Sequence, residues 1–360
     1  MRKKVLVVGG YGFYGSWISK ALTREPRVEC LVAGRHPPRD APVDAGRRLL
    51  ALDARDADAV REALQDVFAV VDASGPFYGD EAVLAECCAA RGVHYIDLAG
   101  DRAHVARVLK LKQKAARSGA LLVTGAGFSP LISALLVDHI APEFERISEI
   151  QVQLAPGRQS RGGPNSLLAL LHEVGRPIRL KQRGRWRQAE GWTGAQNVSL
   201  PEPVGRRRLY LCDAPDLDYL PRRFGAESVS VRTGFEQGLL NLGLDLLRRL
   251  KQRRGGVSLA PWAPWLNRLA RVFGNAGEDH FGIGVIVRGE QAAQSLSHDV
   301  YLLGRRGSGP AIAGSGSVVL LRHWLQQGVQ EGGAVMAADI LSLDDLRPLL
   351  KEHDVVLVRH

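Results

Sequence analysis

The chain has 360 residues, 45% of them hydrophobic and 24% charged, with a formal net charge of +10. At ~100–200 residues per domain this length predicts two domains, and the composition supplies apolar material for both cores. Forty glycines and 18 prolines are spread along the chain, which excludes collagen-like and disordered classes; the four cysteines lack metal-ligand spacing, which speaks against a disulfide framework and for a reducing cytoplasm.

The N-terminal third alternates between apolar runs and helical patterns. Val5–Val8 is a short apolar run that ends in glycines, too short for the apolar core of a secretory leader. Trp17, Ile18, Ala21 and Leu22 then recur at helical spacing until Pro26. Strands are predicted at Val28–Ala33, Leu49–Leu52, Phe68–Ala73, His94–Leu98 and Ala120–Thr124. Helices are predicted from the Asp56 cap to Leu64, over Asp80–Arg91 and over Ala103–Ser118. The uncharged stretch Ser118–Val137 is broken by Gly125, Gly127 and Pro130, so it reads as strand, turn and helix start, not as a membrane span.

After Pro130 the pattern changes. A helical Leu131–Ile140 leads into Ile147–Leu154, where apolar and polar residues alternate as in an exposed antiparallel strand. Ser228–Arg232, Ile283–Arg288 and Ser295–Leu303 read similarly, Val318–Gln327 reads as a helix and Val355–Val358 as a strand. The prediction is therefore an α/β protein. A doubly wound parallel sheet occupies 1–130, a mixed α+β domain follows over 131–314, and a tail over 315–360 can return to the first domain.

The strongest motif is Gly10-Tyr11-Gly12-Phe13-Tyr14-Gly15, a G-x-G-x-x-G directly after a strand and opening a helix. Gly10 permits the tight turn, Gly12 lets the backbone approach a pyrophosphate, and Gly15 allows close helix–strand packing. The free N–H groups at the helix start then face phosphate charge. An NAD-preferring site carries an acid at the end of the second strand. Here that strand ends Ala33-Gly34-Arg35-His36, and Arg35 is suited to pair a 2′-phosphate, which predicts NADP (NADPH). Asp53, Ser74-Gly75-Pro76 and Gly125–Gly127 follow the third, fourth and sixth strands. They are further candidates for cofactor contacts, because ligands of parallel sheets sit at the carboxyl ends of the strands.

In order, GGYGFYG, AGR, LDARD, VVDASGPF, HYIDLAGD and GAGFSP resemble the NADP-binding domain of the saccharopine dehydrogenase family, over about the first 130 residues. HFGIGVIVRG at His280–Gly289 is similar to a strand of that family's second domain, and GSGSVVLLRHWLQQG to its late helix. The resemblance implies a Rossmann domain followed by a mixed substrate domain. It also implies hydride transfer at a C=N or C–N bond of an amino-acid-like small molecule. Two other readings stay open: reduction of an activated C=C bond in a lipid-like substrate, and a redox sensor that holds NADP without turning it over. The aromatic, apolar run of Trp262, Trp265, Leu266, Leu269, Val272 and Phe273 favours the lipid-like substrate.

For acid–base chemistry the candidates are Tyr95 and Asp97, which alternation puts on one face of the fifth strand beside the expected site. His172, Asp279, His280 and His298 are the titratable residues to locate in the second domain. No H-x-x-x-H, C-x-x-C or G-x-S-x-G pattern supports a metal or a nucleophile elbow. The basic excess is local. Arg176–Arg208 holds nine Lys/Arg against two acids, a balance of +7, and Leu240–Asn275 holds seven against one, a balance of +6. No nucleic-acid-binding module accompanies them, so nucleic acid is not an expected partner. The Leu-, Trp- and Arg-rich stretch 239–273 has the make-up of a peripheral membrane contact; the alternative reading makes its leucines domain core or a homodimer interface.

Overall fold

The computed structural model describes residues 2–38, 47–79, 81–157, 171–236, 238–253, 280–305, 307–329 and 331–359. The chain divides into two compact units, Met1–Leu131 with Pro310–Leu349, and Ile132–Gly309 with Leu350–His360.

The first unit is built on strands β1 (Lys3–Val8), β2 (Val28–Gly34), β3 (Arg47–Ala51), β4 (Val67–Asp72), β5 (His94–Asp97), β6 (Leu121–Thr124) and β15 (Gly333–Met336). They form one sheet in the order β15-β6-β5-β4-β1-β2-β3, with every pair parallel. The order reverses at β1, which has β2 on one side and β4 on the other. That reversal is the topological switch point where ligands of open parallel sheets bind.

Between the strands run α1 (Phe13–Thr23), α2 (Ala57–Ala63), α3 (Val83–Arg91), α4 (Arg102–Lys110) and α5 (Lys112–Ser118). Val5 to Val8 are all buried, as a strand covered on both faces requires, which is why it reads as a continuous apolar run. Leu6 and Val8 join the core cluster with Val60, Leu84, Cys88 and Val108 of the helices. On α9 (Gly309–Gln327), a Cβ at Gly314 would stand 2.7 Å from the Trp17 ring, so α9 lies tightly on α1. The helix expected over 103–118 is two helices. At Leu111 (φ −76°, ψ 0°) the backbone tightens, and Leu111 N–H donates to the Val108 carbonyl three residues back.

The second unit carries α6 (Ser133–Ile140), β7 (Arg146–Ala155), β8 (Pro177–Gln182), β9 (Arg185–Glu190), β10 (Gln196–Ser199) and β11 (Arg206–Leu211). It continues through α7 (Asp216–Phe224), β12 (Ser228–Thr233), α8 (Gly238–Arg253), β13 (Phe281–Gln291) and β14 (Gln294–Gly304). With β16 (Val355–Arg359) at one edge, its main sheet runs β10-β11-β12-β7-β13-β14-β16, and β8-β9 form a separate hairpin.

Two expectations need correction here. The alternating 147–154 is not an exposed antiparallel strand but the middle of the sheet, parallel to β12 and antiparallel to β13. Its polar residues are covered: Gln153 is 2% exposed, and Gln151 Nε2 donates to Gln196 Oε1 at 2.8 Å. Nor does the whole 315–360 tail return to the first sheet. After α10 (Leu343–Glu352), β16 (Val355–Arg359) pairs antiparallel with β14, where it completes an edge that β14 otherwise leaves open.

In β13, Gly284 lies opposite Tyr301 of β14, and any Cβ there would run into the tyrosine ring. Tyr301 is buried over this glycine. Gly284→Val is expected to destabilise the second unit by about 1–3 kcal/mol through overpacking. Urea unfolding followed by tryptophan fluorescence measures it.

Candidate functional site

β1 ends at Val8, and Gly9 follows with φ +75°, a conformation that glycine adopts without steric cost. A Cβ at Gly9 would stand 2.5 Å from the Ala73 carbonyl oxygen, and one at Gly10 would stand 2.5 Å from Val32 Cγ1. A Cβ at Gly15 would overlap the Gly9 carbonyl. These three glycines thus let the turn press against β2, β4 and the start of α1. Gly12 differs: it is the N-cap of α1, it is exposed, and its N–H donates to Gly9 O at 2.9 Å. No side chain caps α1 and no acid stands in its first turn. The first-turn amides and the positive end of the helix dipole are thus available to an anion.

The three aromatic residues of the turn have structural contacts. The Tyr11 hydroxyl donates to Val32 O at 2.8 Å and accepts from Leu50 N at 3.2 Å, with its ring over Gly34. Its side chain therefore clamps the glycine turn to β2 and β3. Phe13 packs edge-on against Tyr14, and Tyr14 against Phe128 in the turn after β6. Burial pushes the Tyr14 phenol up, so it stays protonated.

The other candidates follow the strand ends along the same edge of the sheet. Arg35 follows β2, is exposed, and makes no ion pair among the described residues. Asp53 follows β3 and accepts from Arg55 N at 3.1 Å, an Asx turn that leaves its carboxylate exposed. Ser74, Gly75 and Pro76 follow β4; Ser74 donates to Asp72 Oδ1 through both N (2.9 Å) and Oγ (2.6 Å). Gly125, at φ +74°, follows β6, and a Cβ on it would stand 2.7 Å from Pro130 Cδ. A Cβ on Gly127 would stand 2.9 Å from the Leu98 carbonyl oxygen.

Tyr95 and Asp97 do share a face, but it is an interior one: both are completely buried. Asp97 Oδ1 accepts from Ala99 N (2.9 Å), Thr124 Oγ1 (3.0 Å) and Gly125 N (2.8 Å). Its other oxygen faces His104 Nε2 at 3.4 Å. The Tyr95 hydroxyl donates to Asp72 Oδ2 at 3.1 Å and lies 3.5 Å from the same His104 nitrogen. Phe77 closes over the imidazole at 4.9 Å between ring centroids. The expected roles of Tyr95 and Asp97 as groups that touch substrate are corrected accordingly: from these positions they hold the strand-end turns in place.

The charges of this cluster are set by opposing causes. Burial lowers the His104 pKa, but the Asp97 contact and the nearby Asp72 outweigh it, so the imidazole titrates above its usual value. Burial raises the Asp72 carboxyl, against the Ser74 hydrogen bonds that lower it. Burial and the flanking carboxylates hold the Tyr95 phenol far up. His104 escaped the sequence reading because it sits on α4, one turn past the Asp101 cap, whose carboxylate takes its N–H at 2.7 Å. The only available signal was its position in the first turn of the helix after HYIDLAGD.

In the second unit His172 contacts Glu173 at 3.3 Å and Arg176 at 2.8 Å, and His298 contacts Glu143 at 3.0 Å. His280 opens β13. Asp279 lies outside the described residues, as do 254–273 of the stretch 239–273. Buried Asp216 accepts a short hydrogen bond from Ser133, a pair the sequence did not single out. Among the described residues no group of His, Cys, Asp or Glu is arranged to hold a metal, and no helix is long and apolar enough to cross a membrane.

Comparison with known proteins places this geometry. Residues 5–123 match the family described as the saccharopine dehydrogenase NADP binding domain. No curated protein sequence matches the chain. Among solved structures, saccharopine dehydrogenase (L-Glu forming) from Saccharomyces cerevisiae aligns with a TM-score of 0.72 at 14% identity, over 99% of both chains. An engineered D-amino acid dehydrogenase bound to NADP+ aligns with a TM-score of 0.50 at 14% identity, over 97% of this chain and 99% of that one. The first unit is thus a dinucleotide-binding domain of the Rossmann class. More narrowly, it is an NADP-binding domain of the saccharopine dehydrogenase type, and the whole chain is saccharopine dehydrogenase-like in fold. NADP(H) is its cofactor, and the residues fit it: the cap glycine is exposed, the first turn of α1 is free of acids, and an exposed arginine with no ion pair among the described residues stands where an NAD site has an acid.

The buried cluster makes stability depend on pH in a defined direction. His104 and Asp72 both bind their proton more tightly in the folded chain than in the unfolded one. Both therefore lower stability as pH rises. The His104 share is fully present below about pH 6.5, the unfolded value, and is lost as pH rises through the folded value. His104→Gln is expected to cost about 1–3 kcal/mol at pH 6, with the gap to the parent chain narrowing as pH rises. Urea midpoints across this range measure it; a gap independent of pH would show that His104 carries no proton in the fold.

Proposed function

We propose that the protein is an NADPH-dependent oxidoreductase that acts at a C=N or C–N bond of an amino-acid-like substrate. The single observation that carries the cofactor half of this reading is Arg35. It is an exposed guanidinium without an acidic partner among the described residues, directly after β2, at the carboxyl edge of the sheet in a saccharopine dehydrogenase-type NADP-binding domain. A guanidinium pairs a 2′-phosphate with charge-assisted hydrogen bonds, whereas the acid of an NAD site repels it. The substrate half rests on family likeness and on the fold shared with amino-acid dehydrogenases.

The bound cofactor supplies the hydride chemistry. The chain's own residues bind and position. Gly12 and the first turn of α1 take the pyrophosphate, Arg35 takes the 2′-phosphate, and Ser74–Pro76 with Gly125–Gly127 line the edge towards the nicotinamide end. Asp97, Tyr95 and His104 keep those last two turns in register from below. The substrate's proton passes through some other group, because this buried cluster is enclosed by the sheet and by Phe77.

Arg35→Ala is expected to weaken NADPH binding roughly 10- to 100-fold, the worth of a hydrogen bond to a charged group, and to leave NADH binding nearly unchanged. Fluorescence titration with both nucleotides measures it, and equal affinity of the parent chain for the two would overturn the reading. Gly12→Val places a branched side chain at the exposed cap and is expected to abolish NADPH binding while far-UV circular dichroism stays unchanged. Turnover is read separately, as NADPH consumption with 2-oxo acids plus amines. Tight NADPH binding with no turnover on any such pair would favour a redox sensor.

A further inference from the structure

Five large hydrophobic side chains stand exposed among the described residues: Trp186, Leu242, Leu246, Leu250 and Val356. Four of them belong to two elements of the second unit, the β8–β9 hairpin and α8. These elements are joined, since Arg248 of α8 lies 3.4 Å from Glu190 at the end of β9. Leu242, Leu246 and Leu250 are spaced by four residues and share one face of α8, where they are 63%, 58% and 41% exposed. The opposite face already has its core: Leu244, Leu240 and Leu247 pack with Trp192 and Tyr210. The outer leucines are therefore surplus to the packing of this unit.

The hairpin beside them is strongly basic. Between Glu173 and Glu190 there is no acid, while Arg176, Arg179, Lys181, Arg183, Arg185 and Arg187 are all basic. The Arg179 guanidinium stacks 4.2 Å over the Trp186 ring, with Lys181 opposite Trp186 in the ladder. Arg183, Arg185 and Arg187 are exposed and make no ion pair among the described residues. Apolar residues with tryptophan, flanked by Lys/Arg, are the composition of interfacial elements: the apolar groups enter the headgroup–acyl boundary and the cations meet lipid phosphates. A second copy of this chain would bring the same cations face to face, which disfavours it as the occupant.

We propose that the outer face of α8 and the β8–β9 hairpin dock on an anionic lipid surface, with Leu242, Leu246, Leu250 and Trp186 as the inserting groups and Arg183, Arg185 and Arg187 as the phosphate contacts. The attachment is reversible and independent of the nucleotide site, whose residues lie in the first unit.

The test is co-sedimentation of the full chain with phosphatidylglycerol–phosphatidylcholine vesicles. Binding is expected at low salt, falling steeply as salt is added, with none to pure phosphatidylcholine. The variant R183E/R185E/R187E should bind roughly 100-fold more weakly. The variant L242S/L246S/L250S should lose about tenfold or more. Thermal midpoints and NADPH affinity of both variants should match the parent. Absence of binding to anionic vesicles at low salt overturns the proposal. So does undiminished binding of the serine variant, which would reduce the surface to a generic polyanion site. A dimer in solution that the serine changes dissolve would assign the stripe to a second copy, and overturns it equally.

Discussion

One buried carboxylate organises the ligand edge of the first unit. Asp97 gathers the amides of Ala99 and Gly125 and the Thr124 hydroxyl on one oxygen, and turns the other to His104. A buried charge of this kind is costly unless every lone pair finds a donor. Here one oxygen takes two backbone amides that leave the sheet after β5 and β6 together with the Thr124 hydroxyl, while the other is left with the 3.4 Å approach of His104. Through Tyr95 and His104 the cluster reaches Asp72, which holds the turn after β4 in the same manner. Three turns from three strands are thereby tied to each other below the carboxyl edge of the sheet.

The glycine turn after β1 solves the complementary problem of approach. Gly9, Gly10 and Gly15 are small so that the turn can pack against its neighbours, while Gly12, where a Cβ would stand 3.0 Å from the Gly9 carbonyl oxygen, is exposed at the cap. Tyr11 then locks the turn to β2 and β3 through its hydroxyl. The division of labour is physical: rigid packing is spent inside the turn, and the helix N-terminus is left open for charge. Arg35 stands just beyond the Tyr11 clamp, on a fastened strand end, so its backbone has little entropy left to lose on binding an anion.

The second unit follows other rules. Its sheet is mixed, and it buries Gln151 and Gln153 on its central strand, where the Gln151 amide finds a partner in Gln196 of β10. Its surface carries the basic excess of the whole chain, concentrated on the β8–β9 hairpin, while the first unit has none of comparable density. Two surfaces of different chemistry thus lie in separate units, a helix start with free backbone amides and an exposed arginine in the first, and a basic hairpin with exposed leucines in the second.

The sequence by itself determined the local features. Period-two and period-3.6 patterns placed the strands and helices of the first unit, Asp56 announced its helix, and Gly10 to Gly15 with Arg35 specified a dinucleotide and favoured NADP, because each of these depends on residues close in the chain. What it could not determine were the partners of buried polar groups. Tyr95 and Asp97 read as exposed acid–base candidates, since a sequence shows alternation but not which face is covered. Gln151 and Gln153 read as solvent-facing for the same reason, and the last strand read as a return to the first sheet until its pairing with β14 showed otherwise. Only the tertiary structure decided these, because burial and hydrogen bonding between residues 20 to 200 positions apart are properties of packing, and no local pattern in the chain encodes them.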